Sequence, residues 1–218
     1  MIGVFLCVYK RLENLPQALQ QLDGQTFKNF RVHILNNSFK AKDKVDKIVS
    51  DNKGKLDVVV KHFEFNQGPM IRFFEAKNSE YEYVVFLDDD ESFSYNMMDT
   101  FNSEKGPKKL VARVGANFKD NIHIRTSVLC GDAKYVGPGG MIADASMFRM
   151  EEFWKDWKPE FYVADDLWLS YFAEKSGWKK IAIKIGIVLR SSGLHSMLKN
   201  QTIRTIKQSF VDVYNWKG

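Results

Sequence analysis

Short continuous apolar runs alternate with amphipathic stretches through the first ninety or so residues of the chain. Ile2 to Val8 is apolar throughout and about seven residues long, the mark of a strand buried on both faces. Leu12, Leu15, Leu19 and Leu22 then recur at helical spacing, with Gly24 placed to end the helix. Phe30 to Leu35 predicts a second strand, Lys42 to Asn52 a helix and Leu56 to His62 a third strand. Pro69 to Asn78 predicts another helix, and Tyr83 to Leu87 a fourth strand that runs into three aspartates. This alternation predicts an α/β fold with an open, mostly parallel central sheet flanked by helices. The second half is less regular. Leu110 to Val114 reads as a strand, Tyr135 to Gly140 as a glycine-rich turn, Asp165 to Glu174 as a helix and Lys199 to Tyr214 as a terminal helix. No internal repeat, low-complexity stretch or linker interrupts the chain, so residues 1–218 are expected to form one domain, divided into halves 1–90 and 91–218.

In open sheets of this kind ligands bind outside the carboxyl ends of the strands. The polar residues that interrupt the apolar pattern fall there: Tyr9 to Arg11 after the first strand, Asn36 to Ser38 after the second, Asn66 to Gly68 after the third and Asp88 to Asp90 after the fourth. Three carboxylates on one strand end concentrate negative charge, which is costly unless a cation offsets it. Hard divalent ions such as Mn²⁺ or Mg²⁺ take oxygen ligands and readily bridge a carboxylate to a diphosphate; a solvated acidic turn is the plainer alternative. The glycines of Gly137-Pro138-Gly139-Gly140 permit close approach of a ligand to the main chain, or merely a tight turn. Asp165 and Asp166 open a predicted helix. One of them is explained as a cap, whereas a pair facing a pocket could supply a general base or a charge stabiliser. His195 lies in a small, polar segment late in the chain, and a lone histidine of that kind is usually a surface residue.

Composition adds little to this picture until the charge is located. Hydrophobic residues make up 44% of the chain and charged residues 27%, ordinary for a globular domain with a real core. The net charge of +5 is uneven: from Ser176 to Gly218 eight lysines and arginines face one acid, Asp212, so this end carries +7 and the rest −2. A basic end suits a polyanionic partner or is simply a solvated face. Cys7 and Cys130 show no metal-ligand spacing and fit a reduced compartment. The N-terminus lacks the pattern of a signal peptide, and no apolar run approaches the roughly 20 residues that span a bilayer. A cytoplasmic protein without a transmembrane segment is therefore expected.

Taken in order, these elements resemble the nucleotide-diphospho-sugar transferase fold called GT-A. The opening, from Val4 to Arg11 through Gln25-Thr26-Phe27-Lys28-Asn29-Phe30 to Leu35-Asn36-Asn37-Ser38, is similar to the start of family 2 glycosyltransferases. The aspartate motif, the glycine loop, the acidic pair and the late histidine follow in that family's order. A closer similarity is to chlorella-virus-encoded members, of which this would be the N-terminal domain. The resemblance implies a metal-dependent glycosyltransferase that uses a nucleotide-sugar, UDP-linked by preference, to glycosylate a glycan or glycoprotein. Tyr9, Arg11 and Asn37, with Asn36 nearby, would border the nucleobase and ribose. Asp88 would contact ribose or sugar, Asp89 would belong to the same donor site, and Arg72 would reach the donor. Gly139 and Gly140 would let a sugar lie against the backbone. Asp90 and His195 would hold Mn²⁺ or Mg²⁺, and Asp166, or else Asp165, would deprotonate the acceptor if the reaction inverts configuration.

Two departures from the family pattern stand out. Asn36-Asn37 replaces an aspartate common in relatives, and the acidic pair is Asp-Asp rather than Glu-Asp. Three other readings compete. A sugar-1-phosphate nucleotidylyltransferase normally carries a glycine-rich loop after the first strand, which Tyr9-Lys10-Arg11-Leu12-Glu13 is not. A non-catalytic sugar- or nucleotide-binding domain is a second. A nucleic-acid-binding module, prompted by an isoelectric point near 9.0, lacks any recognisable motif, so no nucleic-acid partner is expected.

Overall fold

The computed structural model describes residues 1–189 and 201–216, and an eight-stranded mixed sheet forms its centre. β1 (Ile2–Val8), β2 (Phe30–Asn36), β3 (Val58–His62) and β4 (Tyr83–Asp88) run parallel in the order β3-β2-β1-β4. Beyond β4 the sheet continues with Met141–Asp144, antiparallel to both its neighbours, then Lys109–Ala112, Lys179–Ala182 and Gly131–Asp132. The fold class expected from the sequence, a mostly parallel α/β sheet between helices, is the one observed.

The alternation of side chains along β1 and β4 builds two cores at once. Phe5, Val84 and Phe86 enter one core, which also contains Phe73, Phe148, Phe153 and Trp168. Val4, Leu6, Val8, Val85 and Leu87 enter the other, against Leu15, Leu19 and Leu22 of the helix Leu15–Asp23. Because both faces are covered, every residue in these runs must be apolar, which is why the period-two pattern is hidden in the sequence. Each fully buried aromatic or aliphatic side chain contributes about 1.5–3 kcal/mol of hydrophobic stabilisation. Polar side chains first appear where the strands leave this cover.

Several element bounds differ from expectation for local reasons. The helix begins at Leu15 after a 3₁₀ turn, Leu12–Asn14, because Pro16 suits a first helical turn, where its missing N–H costs nothing. The helix expected from Pro69 starts at Ile71, and the strand expected at Leu110 to Val114 is Lys109–Ala112. Tyr135–Val136 is a short strand paired with Gly115 and Ala116, so the glycine turn proper begins at Gly137. A two-stranded ribbon, Glu91–Phe93 with Ile187–Leu189, folds the late chain back beside the aspartate turn. Among the described residues no helix is long and apolar enough to cross a membrane. Both cysteines are free.

Candidate functional site

The carboxyl ends of β1, β2 and β4 open into a cleft of about 440 Å³ lined by Tyr9, Arg11, Asn37, Arg72, Asp88 and Asp89, with Tyr162 and Ile203 from the second half of the chain. A larger cavity of about 690 Å³ lies at the opposite, amino ends of the strands, near Met1, Arg31, His33 and Tyr81, and none of the candidate residues lines it.

Loops at the cleft are held by side-chain-to-backbone bonds. The Tyr9 N–H donates to Asp89 Oδ2 at 2.8 Å, and Lys10 sits at φ 69°, so the chain turns sharply off β1. Asn37 donates from its amide to the Gly68 carbonyl at 3.2 Å and accepts from the Gln67 N–H at 3.1 Å, tying the second loop to the third. Asn36 is fully buried and faces away from the cleft, where its amide meets His62 Nδ1 at 2.8 Å and its Oδ1 accepts from the Ser38 N–H. It shapes the turn on which Asn37 stands.

The aspartate run is less naked than its sequence suggests. Arg11 lies 2.5 Å from Asp89 and also pairs with Asp90. Asp89 is almost fully buried, and burial pushes its carboxyl up to about 6, against the Tyr9 N–H and Arg11, which pull the other way. Arg72 Nη1 lies 2.9 Å from Asp88 Oδ1, and Arg72 Nε lies 3.8 Å from Asp165 Oδ2. Burial disfavours the Arg72 cation, but the two carboxylates outweigh it and raise its pKa. Glu91, not anticipated from sequence, sits beneath the turn: the Asp88 N–H donates to Glu91 Oε2 at 3.0 Å, and Arg113 Nη2 lies 3.3 Å from Oε1. Burial, then Asp88, pushes the Glu91 carboxyl up to about 8.

Gly139 and Gly140 fit against this turn for a steric reason. A Cβ on Gly139 would stand 2.5 Å from Asp88 Oδ2 and 3.1 Å from Glu91 Oε1. Gly140 has φ +67° and lies against Ile187 and Arg113. These glycines therefore serve the acidic turn itself.

Asp165 and Asp166 open the helix Asp165–Lys175, both buried, and point to different partners. Asp165 is directed to Arg72; burial raises its carboxyl to about 7, with Arg72 opposing. Asp166 Oδ2 accepts from the Tyr135 hydroxyl at 2.7 Å and from Lys207 Nζ at 2.5 Å, while Oδ1 accepts from the Leu167 N–H at 2.9 Å. Burial works against its ionisation, yet Lys207 and Tyr135 more than compensate and hold its pKa below the ordinary carboxylate range. A second cleft of about 170 Å³ borders Asp166 and Tyr135 and shares Ile203 with the first.

The candidate residues thus fall into one neighbourhood, apart from His195, which lies outside the described residues. Of the aromatics before Asp165, Phe153 and Phe161 are core and Trp154 and Trp157 pack against it. Tyr162 is 55% exposed and reaches the cleft beside Gly68. Arg113, Tyr135 and Lys207 carried no sequence signal, because each is distant in the chain from the group it contacts, whereas Glu91 reads only as one more acid at the end of the aspartate run.

For a metal, donor type is favourable. Five acids, Asp88 to Glu91 and Asp165, face three arginines, Arg11, Arg72 and Arg113, and three of the acids, Asp89, Glu91 and Asp165, are driven toward their neutral forms. Such an excess of hard oxygen donors fits a hard divalent cation. Among the described residues no group of three or more His, Cys, Asp or Glu is placed to hold a metal ion, so most of the ligands would come from a diphosphate or from elsewhere in the chain.

Comparison with known proteins agrees with this architecture. Residues 3–103 match the family model described as Glycosyl transferase family 2. Over 94 residues the chain is 31% identical to an uncharacterized glycosyltransferase of Haemophilus influenzae, an alignment covering 43% of this chain and 30% of that protein. The chain thus spans under a third of the length of this curated relative. Among solved structures it is similar to S. aureus TarS 1–349 in complex with UDP-GlcNAc, with a TM-score of 0.65 at 17% identity over 94% of this chain and 64% of that one. It is similar also to the mannosyltransferase PcManGT from Pyrobaculum calidifontis in complex with GDP-Man and Mn²⁺, with a TM-score of 0.69 at 12% identity over 100% and 65%. The resemblance to GT-A glycosyltransferases drawn from the sequence motifs is borne out, and the described chain has that fold.

Proposed function

We propose that this chain is a metal-dependent glycosyltransferase that moves a hexosyl or deoxyhexosyl group from a nucleotide-sugar, UDP-linked by preference, to a hydroxyl of a glycan acceptor. One observation carries the reading. Arg72 bridges Asp88, at 2.9 Å, to Asp165, at 3.8 Å, so the end of β4 and the start of the acidic helix share one buried cation in the wall of the cleft. A donor seated in that cleft has its nucleoside near Tyr9, Arg11 and Asn37 and its sugar near Asp88, Gly139 and the acidic pair. The family match over residues 3–103 and the nucleotide-sugars bound by structurally similar enzymes support this.

The chain's own residues account for the chemistry as follows. Tyr9, Asn37 and Arg11 bind and orient the nucleoside, with Asn36 and Asp89 fixing their loops. Arg72 holds Asp88 oriented towards the ribose or sugar. Asp90, with His195 beyond the described residues, would hold Mn²⁺ or Mg²⁺, whose contribution when bound is to neutralise the diphosphate as it leaves. In an inverting transfer the acceptor oxygen bonds to the anomeric carbon as the sugar–phosphate bond breaks, and the hydroxyl proton passes to Asp166. In a retaining transfer the departing phosphate takes that proton, and Asp166 instead steadies positive charge on the sugar.

The test is nucleotide-dependent thermal stabilisation with UDP, GDP and CMP, with and without Mn²⁺. A ligand that binds only the native state raises its stability with the logarithm of concentration over Kd. Stabilisation by UDP that needs Mn²⁺ and is lost in Asp90→Ala is the expected result. A thermal midpoint that no nucleotide moves at millimolar concentration would overturn the reading in favour of a non-catalytic domain.

A further inference from the structure

The second cleft, beside Asp166, has a charge that a neutral sugar hydroxyl does not require. Its lining carries three permanent cations, Arg125, Arg204 and Lys207, together with His123, against the single carboxylate of Asp166. That carboxylate is already engaged, by Lys207 at 2.5 Å and by the Tyr135 hydroxyl at 2.7 Å. Among the described residues no ion pair engages Arg125; its guanidinium lies 5.6 Å from the centre of the Tyr135 ring, whose hydroxyl is on Asp166. The two clefts share Ile203, so a molecule in the second lies next to one in the first.

We propose that the acceptor is an anionic glycan whose phosphate or carboxylate seats against Arg125, Arg204 and Lys207 while its hydroxyl reaches Asp166. The proposal rests on the glycosyl-transfer reading above for the role of Asp166, and adds the chemical class of the acceptor. Guanidinium groups present paired donors that match the oxygens of a phosphate or carboxylate, and such charge-assisted bonds are stronger than neutral ones. A cleft with an excess of cations also concentrates anions from solution. The uneven charge of the chain acquires a place here: of the basic residues beyond Ser176, Arg204 and Lys207 both line this cleft, Lys207 as the ion-pair partner of Asp166. The rival use of these cations is the donor's own diphosphate, reaching across Ile203.

The experiment measures binding of glucose, glucose 6-phosphate and glucuronate to the full chain by calorimetry, with and without saturating UDP and Mn²⁺. At least one charged sugar is expected to bind about tenfold or more tightly than glucose with UDP in place. Arg125→Gln should abolish that preference, whereas Lys44→Gln, an exposed position on the helix Lys42–Asn52, should keep it. Preference for glucose 6-phosphate over glucuronate identifies a phosphate, and the reverse a carboxylate. Glucose binding as tightly as both charged sugars overturns the proposal, as does failure of the charged sugars to bind up to roughly 50 mM. Expulsion of the charged sugars by UDP overturns it too, and assigns the cations to the diphosphate. Failure of UDP itself to bind defeats the glycosyl-transfer reading instead, while the preference measured without nucleotide still reports on the cleft.

Discussion

Lys207 Nζ lies 2.5 Å from Asp166 Oδ2, joining the terminal helix Gln201–Val213 to the first turn of a helix 41 residues earlier. Both side chains are 13% exposed, and the same oxygen accepts the Tyr135 hydroxyl. Two donors on one oxygen keep a buried carboxylate ionised where burial alone would neutralise it. Asp166 is thereby charged and fixed in direction, but less basic than a free carboxylate.

Removing Lys207 should therefore move the pH dependence of transfer. Since Asp166 must be unprotonated to accept a proton, and Lys207 holds its pKa down, the wild-type acid limb lies below the ordinary carboxylate range. In Lys207→Met that limb should rise, because the cation that lowers the Asp166 pKa is gone. Breaking a buried pair also costs about 3–5 kcal/mol of stability at neutral pH. A depressed folded pKa contributes stability that is present above the unfolded value and lost as pH falls through the folded one, so this deficit should shrink in acid. An acid limb of kcat/KM unmoved in Lys207→Met would remove Asp166 from the role of base.

Asp165 has the opposite sign. Its carboxyl is raised to about 7 from 3.8, so between those values the folded state binds more protons than the unfolded state. Stability from this group is full below the unfolded pKa and is lost as pH rises towards 7, at up to about 1.4 kcal/mol per pH unit. Asp165→Asn removes the slope. It also deprives Arg72 of a partner, which adds a constant offset at every pH. Urea midpoints of variant and wild type, compared from pH 4 to pH 8, should diverge in the variant's favour as pH rises; parallel curves contradict the raised pKa.

Legibility in the sequence followed chain distance. β1 to β4 and the polar residues at their ends could be read because each is a local pattern, an apolar run with a turn behind it. The burial of β1 and β4 on both faces made those runs unmistakable while concealing which residues face which core. Asp165 and Asp166 could be singled out as a pair, but their different fates depend on Arg72 and Lys207, which come from other elements. Glu91 reads as one more acid after Asp90, and only the register of Glu91–Phe93 against Ile187–Leu189 places it under the turn. Tyr162 was indistinguishable from its core neighbours Phe153 and Phe161, since no periodicity governs the loop ahead of the helix.

Gly139→Ala tests whether the glycine loop serves the acidic turn. The new Cβ would stand 2.5 Å from Asp88 Oδ2, closer than carbon and oxygen can approach, and the neighbouring Glu91 Oε1 at 3.1 Å closes the other way out. Asp88 must then swing away from Arg72. Donor KM should rise about tenfold or more, consistent with the sensitivity of such sites to displacements of about 1 Å. The loss should be specific to the donor, so binding of a saturating acceptor analogue stays within about twofold of wild type. An unchanged donor KM would mean that Asp88 does not contact the donor.

Asp90 and Asp166 should separate cleanly, because they lie on different strand and helix ends and contact different partners, Arg11 for the first and Lys207 with Tyr135 for the second. Asp166→Asn keeps the shape and one acceptor oxygen, but cannot take a proton. It should lower kcat by about 10²–10⁴ while UDP binding in Mn²⁺ stays near wild type. Asp90→Ala should weaken UDP binding in Mn²⁺ and leave the metal-free affinity little changed, because it removes a proposed ligand rather than a nucleotide contact. Arg11, freed of Asp90, still has Asp89 at 2.5 Å, so the Tyr9–Arg11 loop should hold its place. Calorimetry of UDP with and without Mn²⁺, beside single-turnover transfer, reads both effects in one series. If both variants lose metal-dependent binding equally, the acidic pair is part of the donor site, and the proton acceptor must be sought elsewhere in the cleft.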